Sequence, residues 1–373
     1  MKNTFLGVAA LLFASCTPSL KVDVTNATTI ERDDETVTIA WSELASLKTV
    51  NPENIVVTDD DGEQVPSQVI FYGQNEPQSL IFQADVDAME TERFSIRTGV
   101  REQYRTEAFG RAVPERFDDY AWENNKVAYR LYGPALETAE GQLLVTPGID
   151  VWVKCREKLV IDEWYAKRDY HHNYGDGMDC YKVGLTLGGG ASAPFVDGKL
   201  WLSRNYATQQ TLDNGPIRTT VKLTYAPFDV NGTAVSLTKI ISLDANQRFN
   251  RMENIYEGVF SELPIAAGFV RHDVKTVSTG EGWMALCEAT SDTKDPVRDG
   301  DIYVGIILPE AQMLPDSVGH ALAVKSVKAG QPLTYYAGTG WSQGGIDDMA
   351  EWLEKIEEQQ AAVLTPLSVV IRK

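Results

Sequence analysis

Alternation of apolar and polar positions marks the first hundred residues. The stretches 37–41 (VTIAW), 55–58, 68–72 (QVIFY) and 80–86 read as strands half-buried in an antiparallel sheet. The breaks between them, 59–62 (DDDG) and 73–77, carry the Asp, Gly, Asn and Pro that turns require. This pattern predicts a small β-sandwich over residues 16–105. The polar stretch 101–116 reads as the boundary to a second unit, 106–373.

In that second unit the strands lengthen. Strands are expected at 127–132, 143–145, 149–153, 219–225, 235–243, 251–259 and 303–308. VDGK at 196–199 and DVNG at 229–232 suit hairpin turns. The one strong helical period spans 347–363, with Met349, Trp352, Leu353 and Ile356 on one face and Asp347 and Asp348 at its positive end. LSVVI at 367–371 reads as a last strand. The predicted fold class is all-β and mainly antiparallel, a small sandwich followed by a large one with a C-terminal helix.

The opening residues, MKNTFLGVAALLFASC, have the order of a secretory signal: Lys2, an apolar run, small residues, then Cys16. The run is too short to span a bilayer core of roughly 30 Å. A cysteine directly after Ala14 and Ser15 predicts cleavage of a signal over 1–15 and lipidation at Cys16, although Phe13 stands where an aliphatic residue is usual. The expected location is the cell envelope facing the periplasm, with the membrane touched only through the lipid. Charge agrees with part of this. With 34 basic and 53 acidic residues the chain carries −19, which argues against nucleic acid as a partner. An acidic sugar stays open, because a local cluster of cations acts within a screening length of about 10 Å. Beyond Cys16 there are Cys155, Cys180 and Cys287. An odd number leaves at least one thiol free unless it pairs between chains.

Three segments carry more polar and aromatic groups than a core needs. In the first, around Trp122, Glu123, Asn124 and Arg130, strand alternation puts Arg130 on the same face as Ala128 and Tyr132. Guanidinium and aromatic rings on one face suit a sugar, whereas the plain alternative is a structural ion pair between Glu123 and Arg130. The second is the Gly-punctuated loop YHHNYGDGMDCYKVG, 170–184, which holds two of the four histidines. His171 or His172 suits proton transfer near neutral pH, and Tyr174, Tyr181 and Lys182 are further candidates. His171, Asp176, Asp179 and Cys180 are conceivable metal ligands, but their spacing fits neither a zincin nor an EF-hand loop. No cofactor is predicted. The third comprises DNGPIRT and GFVRHD, where Arg218 and Arg271 suit an anion and His272 a second proton transfer. YYAGTGWSQGG at 335–345 is Gly-rich without the Lys of a phosphate loop, which suggests closely packed backbone.

WENNKVAYRLYGPAL, GIDVWVK, HHNYGDGMDCYKVG, DNGPIRT and YYAGTGWSQGGI together resemble a family of Bacteroidota catalogued as domain of unknown function four-eight-six-one. The resemblance covers nearly the whole mature chain. It implies a galactose-mutarotase-like supersandwich behind a small N-terminal β domain, and a setting among polysaccharide-utilisation genes, often near unsaturated-glucuronyl hydrolases and polysaccharide lyases. Asn125 departs from the acid expected after Trp-Glu-Asn.

Two functions follow as expectations. The first is an enzyme acting on uronic-acid-containing glycans or their unsaturated oligosaccharides. Arg130, Arg218 or Arg271 would pin the carboxylate, and His172, His171 or Tyr174 would take the C5 proton of a lyase reaction. Tyr181 or Lys182 would return a proton, while an epimerase or hydrolase would draw on Glu123, Asp176 or Asp179. The second is a non-catalytic glycan-binding or structural lipoprotein, for which the eight Trp and fifteen Tyr offer stacking surfaces.

Overall fold

The computed structural model describes residues 18–47, 51–141, 144–167 and 169–372. The expected signal and Cys16 lie outside the described residues. The ladders run antiparallel, and the architecture is all-β, with small and large sandwiches and a long C-terminal helix.

The small sandwich packs a three-stranded sheet (Arg32–Ala40, Ser79–Val86, Ser67–Ile70) on a five-stranded one. Val22, Val57, Phe82, Phe94 and Ile96 fill the space between them. One of the five strands comes from the far end of the chain. Ser368–Arg372 pairs with Ser19–Thr25, from Lys21 opposite Arg372 to Thr25 opposite Ser368. The expected division, with everything after residue 106 in the large unit, is corrected at this point. Alternate apolar residues Leu367, Val369 and Ile371 pack on the small core, and the strand covers an edge that would otherwise stand open. Removing residues 367–373 is expected to cost about 2–3 kcal/mol, as three half-buried aliphatic side chains return to water. Hydrogen exchange should then speed up in Ser19–Thr25. Unchanged protection there would show that the last strand is dispensable.

In the large unit an eight-stranded sheet faces a five-stranded sheet, and the main core lies between them. The sequence suits this build because strands Arg218–Val230 and Thr233–Asp244 bury every second residue over 221–225 and 235–239. Both predicted hairpins close with left-handed pairs, Asp197 and Gly198 (φ 53° and 70°) and Asn231 and Gly232 (φ 49° and 84°), as type I′ turns demand. Leu144 and Val145 lie in no strand, contrary to expectation.

A third sheet, Ala108–Val113, Asp119–Asn124, Val127–Leu131, Ile149–Lys154 and Gly177–Asp179, packs one face into that core. Its first strand falls inside the polar stretch read as a boundary. Its second, DYAWEN, is buried at all six positions and so shows no alternation. The outer face is covered by a short helix, Ile161–Lys167, that the sequence pattern did not reveal.

The long helix is Met349–Leu364. It starts one turn-position later than its acidic run because Asp348 is the cap, its carboxylate accepting from the N–H groups of Ala350 and Glu351. Trp352 seats on Gly305 and Gly340, joined by Ile356 at the first and by Ile346 at the second, where a β-carbon would collide with them. The Gly-rich segment 335–345 is thus a packing surface, as read from the sequence.

Candidate functional site

The outer face of the third sheet carries a buried charge network. Strand register sets Arg130 opposite Asp150, and Trp152 opposite Asp179. Arg130 is 3% exposed. Its Nε and Nη2 donate to Asp150 Oδ2 at 2.9 and 2.5 Å, Nη2 to Asp179 Oδ2 at 2.9 Å, and Nη1 to the Tyr170 hydroxyl at 3.2 Å. The rings of Tyr132, Trp152 and Tyr170 surround the guanidinium at 5.2–5.4 Å. Two carboxylates share one buried cation, so the group is short of positive charge. Burial and the charge of Asp150 push Asp179 well above the usual carboxylate range, against the pull of Arg130. Its Oδ1 has no hydrogen-bond partner. Burial likewise raises Asp150, and it pushes neighbouring Asp119 up to about 6 despite Arg130 and Arg116.

His171 stands where this network reaches the surface. Gly177, at φ 124° and with no room for a β-carbon beside the Val153 carbonyl, lets the loop turn tightly into the last strand of the sheet. The His171 Nδ1–H donates to the Asp179 carbonyl at 3.1 Å, with Asp179 Oδ2 at 3.6 Å and Asp292 Oδ2 at 4.0 Å. That acceptor fixes the tautomer and leaves Nε2 with its lone pair. Half of the side chain, 51%, is exposed. His172 packs edge-on against Tyr174 at 4.7 Å. Residues 291–292 clamp the loop from the other side, their N–H groups both donating to the Cys180 carbonyl at 3.0 Å. Asn173 reaches Gln343 of the Gly-rich segment at 3.5 Å.

Segments far apart in sequence are brought together here, and four of the five motifs quoted above meet at this place. Over residues 24–369 the chain matches the family described as Domain of unknown function (DUF4861). The chain belongs to this family. "Uncharacterized protein P7" of Formosa agariphila is 32% identical to it over 397 residues, covering 98% of this chain and 97% of that protein. A solved protein in the Glycosyl Hydrolase Family 38 from Enterococcus faecalis superposes with a TM-score of 0.52 at 9% identity, over 95% of this chain and 47% of that one. The DUF4861 chain thus spans about half the length of that structure, and the likeness is one of fold.

The remaining expected residues of this DUF4861 chain lie elsewhere or do structural work. Glu123 does not pair with Arg130. It forms an ion pair with buried Lys154 and accepts from the N–H groups of Val160 and Ile161 at 2.8–3.0 Å, where the short helix begins. Burial lowers the Lys154 pKa against the pull of Glu123. Trp122 donates to Asn250 at 2.7 Å, and Asn124 ties its turn to the Gln247 carbonyl at 2.6 Å. Asn125, the departure from the family pattern, bonds the Asn246 N–H at 2.8 Å and is buried in the same joint. Asp176 pairs with Lys158 at 2.8 Å. Arg218 is clamped by Asp244 at 2.5 and 2.6 Å, and Arg271 donates to the Pro315 carbonyl at 2.5 Å.

Proton-transfer candidates narrow in the same way. Tyr181 is a core residue whose hydroxyl lies 3.4 Å from the carbonyls of Gly188 and Val270, and burial raises it far above the ordinary phenol range. Tyr174, 61% exposed, donates to Asp169, which raises its pKa. His272 uses both ring nitrogens, on Glu288 and on the Lys182 carbonyl at 2.7 Å each. Burial would lower its pKa, but Glu288 outweighs that and raises it. The Lys182 side chain is exposed. The conceivable metal ligands are dispersed, and among the described residues no three His, Cys, Asp or Glu side chains gather as a metal site. Cys155, Cys180 and Cys287 are free thiols. Of the predicted set, Arg130, Asp179 and His171 converge. Asp150, Tyr170 and Asp292 were missed. A lone Asp inside the apolar strand GIDVWVK was the available signal, since a buried carboxylate needs a partner.

Proposed function

We propose that this chain is a carbohydrate-active enzyme of the bacterial envelope, anchored through Cys16 in the periplasm, that works by proton transfer at His171. The observation that carries this reading is the half-exposed imidazole of His171, with Nδ1 fixed on the Asp179 carbonyl and Nε2 free. The carbohydrate setting rests on the family resemblance and on the fold shared with a Glycosyl Hydrolase Family 38 protein. On a uronic-acid-containing glycan, Nε2 takes the C5 proton, the electron pair forms the C4–C5 double bond, and O4 leaves with a proton from solvent. The carboxylates of Asp179 and Asp292, 3.6 and 4.0 Å from Nδ1, would stabilise the positive charge of the imidazolium. Arg130, Arg218 and Arg271 are engaged by protein groups, so none of them serves as the carboxylate pin first expected.

The test is a screen of the purified chain against uronate-containing polysaccharides and their unsaturated oligosaccharides, following ultraviolet absorbance and product chromatography. His171→Ala is expected to lower turnover about 10²–10⁴-fold, with His172→Ala closer to wild type. Turnover that survives His171→Ala would remove His171 from the chemistry. The engaged arginines favour one second reading, a glycan-binding lipoprotein, which measurable affinity without any turnover would support.

A further inference from the structure

A cleft of about 530 Å³ opens where the small sandwich, the eight-stranded sheet and helix Met349–Leu364 meet. None of its lining residues belongs to the His171 loop. Three of its cations are matched, Arg32 with Glu35 at 3.1 Å, Lys355 with Glu358 at 2.7 Å, and Lys126 with Glu157, while Glu31, Asp33 and Asp34 line it with no ion-pair partner among the described residues. Arg248 is different. It follows a turn whose Asn246 is left-handed (φ 63°) and precedes Phe249, which stacks on Trp352 at 5.3 Å. Its side chain lines the cleft. One N–H bond is accounted for, from Nη2 to the Gly344 carbonyl at 2.8 Å. Among the described residues no carboxylate lies within 4.0 Å of the guanidinium. Its Nε and Nη1 make no hydrogen bond to a described residue and are not fully buried. Burial lowers its pKa, against the pull of Tyr129 and Glu157.

A half-buried guanidinium with open donors is a matched receptor for a carboxylate, which it grips through two parallel bonds. The rest of the lining is polar, with one half-buried ring, Tyr336, and the amide of Gln359. Asp34 faces them from a bulge in its strand, left-handed at φ 51° and held by the Asn246 amide at 2.8 Å. Amide, carboxylate and ring together suit a hydroxylated ligand with a flat apolar face. Domain junctions are where such sites concentrate.

We propose that this cleft binds a carboxylate-bearing sugar, with the carboxylate forked on Arg248 and its ring against Tyr336. The choice of a sugar over another carboxylate rests on the carbohydrate reading above. The experiment is calorimetric titration of the purified chain with trigalacturonate and with its methyl ester. Wild type is expected to bind the acid at least ten-fold more tightly than the ester. Arg248→Gln should weaken binding of the acid at least ten-fold. Ala362→Phe, which fills the cleft from the helix without replacing the guanidinium, should do the same. If Arg248→Gln fails to fold, Ala362→Phe decides. His171→Ala should bind as wild type, so that lost turnover with intact binding supports both sites separately. Binding without turnover in wild type would refute the enzyme reading and leave the cleft standing. Absence of binding, equal binding of the ester, or wild-type affinity in Ala362→Phe would overturn the proposal.

Discussion

Lys239→Met is expected to abolish a rise in stability that the wild-type chain shows between pH 7 and about 10. Lys239 sits on the inward face of its strand, 1% exposed, between Leu223 and Asn254 on the neighbouring strands. Its Nζ has one weak protein partner, the Pro147 carbonyl at 3.4 Å, and the Tyr225 ring at 4.9 Å. Burial alone pulls its pKa down to about 7. The unfolded chain holds this proton up to about pH 10.4. Between the two values the unfolded state binds more protons than the folded state, so stability climbs with pH, and below pH 7 the native state bears the whole penalty. The shift corresponds to something on the order of 5 kcal/mol. Methionine keeps the length of the side chain and discards the charge. Urea unfolding at pH 6, 7.5 and 9 should show the variant more stable than wild type at pH 6, with the two curves converging as pH rises. Parallel curves would mean that Lys239 stays charged in the fold, with a partner that its surroundings do not reveal.

The same physics explains which parts of this fold were legible beforehand. Alternation exposes a strand to sequence reading only when one of its faces meets water. Arg218–Val230 and Thr233–Asp244 qualified, and were found within a few residues. Asp119–Asn124, buried on both faces, was not found. The short helix Ile161–Lys167 begins on the carboxylate of Glu123, 37 to 38 residues earlier, so no local cap announced it. The partner of the last strand lies at the opposite end of the chain. Site residues follow the same division. His171 and Asp179 stood out because loop composition is local. The ion pair weighed for Arg130 as the alternative to a sugar contact was with Glu123, whereas its partners are 20 and 49 residues further on. Register decides such pairings, and register depends on which strands become neighbours.

The larger structural loss is expected from Arg130→Met. Removing the guanidinium leaves Asp150 and Asp179 buried together without a cation, and breaking a buried charge group from one side costs about 3–5 kcal/mol. Both carboxyls already lie above their ordinary range, and loss of Arg130 removes the attraction opposing that shift. Their folded pKa values then exceed the unfolded ones further. The native state binds more protons than the unfolded state over that window, so the variant loses stability as pH rises. The deficit against wild type should be smallest near pH 5 and grow toward pH 8. Adding Asp179→Asn should recover part of it, since the two sites share one network. A deficit independent of pH, or none at all, would show that the guanidinium is not the group holding these carboxylates. The consequence reaches His171, because Tyr170 loses its 3.2 Å tie to Arg130 and Asp179 supplies the carbonyl that orients the imidazole. Any turnover should therefore fall in Arg130→Met even under conditions where the chain stays folded, and it should fall by positioning, since Arg130 is buried, with 3% of its surface exposed.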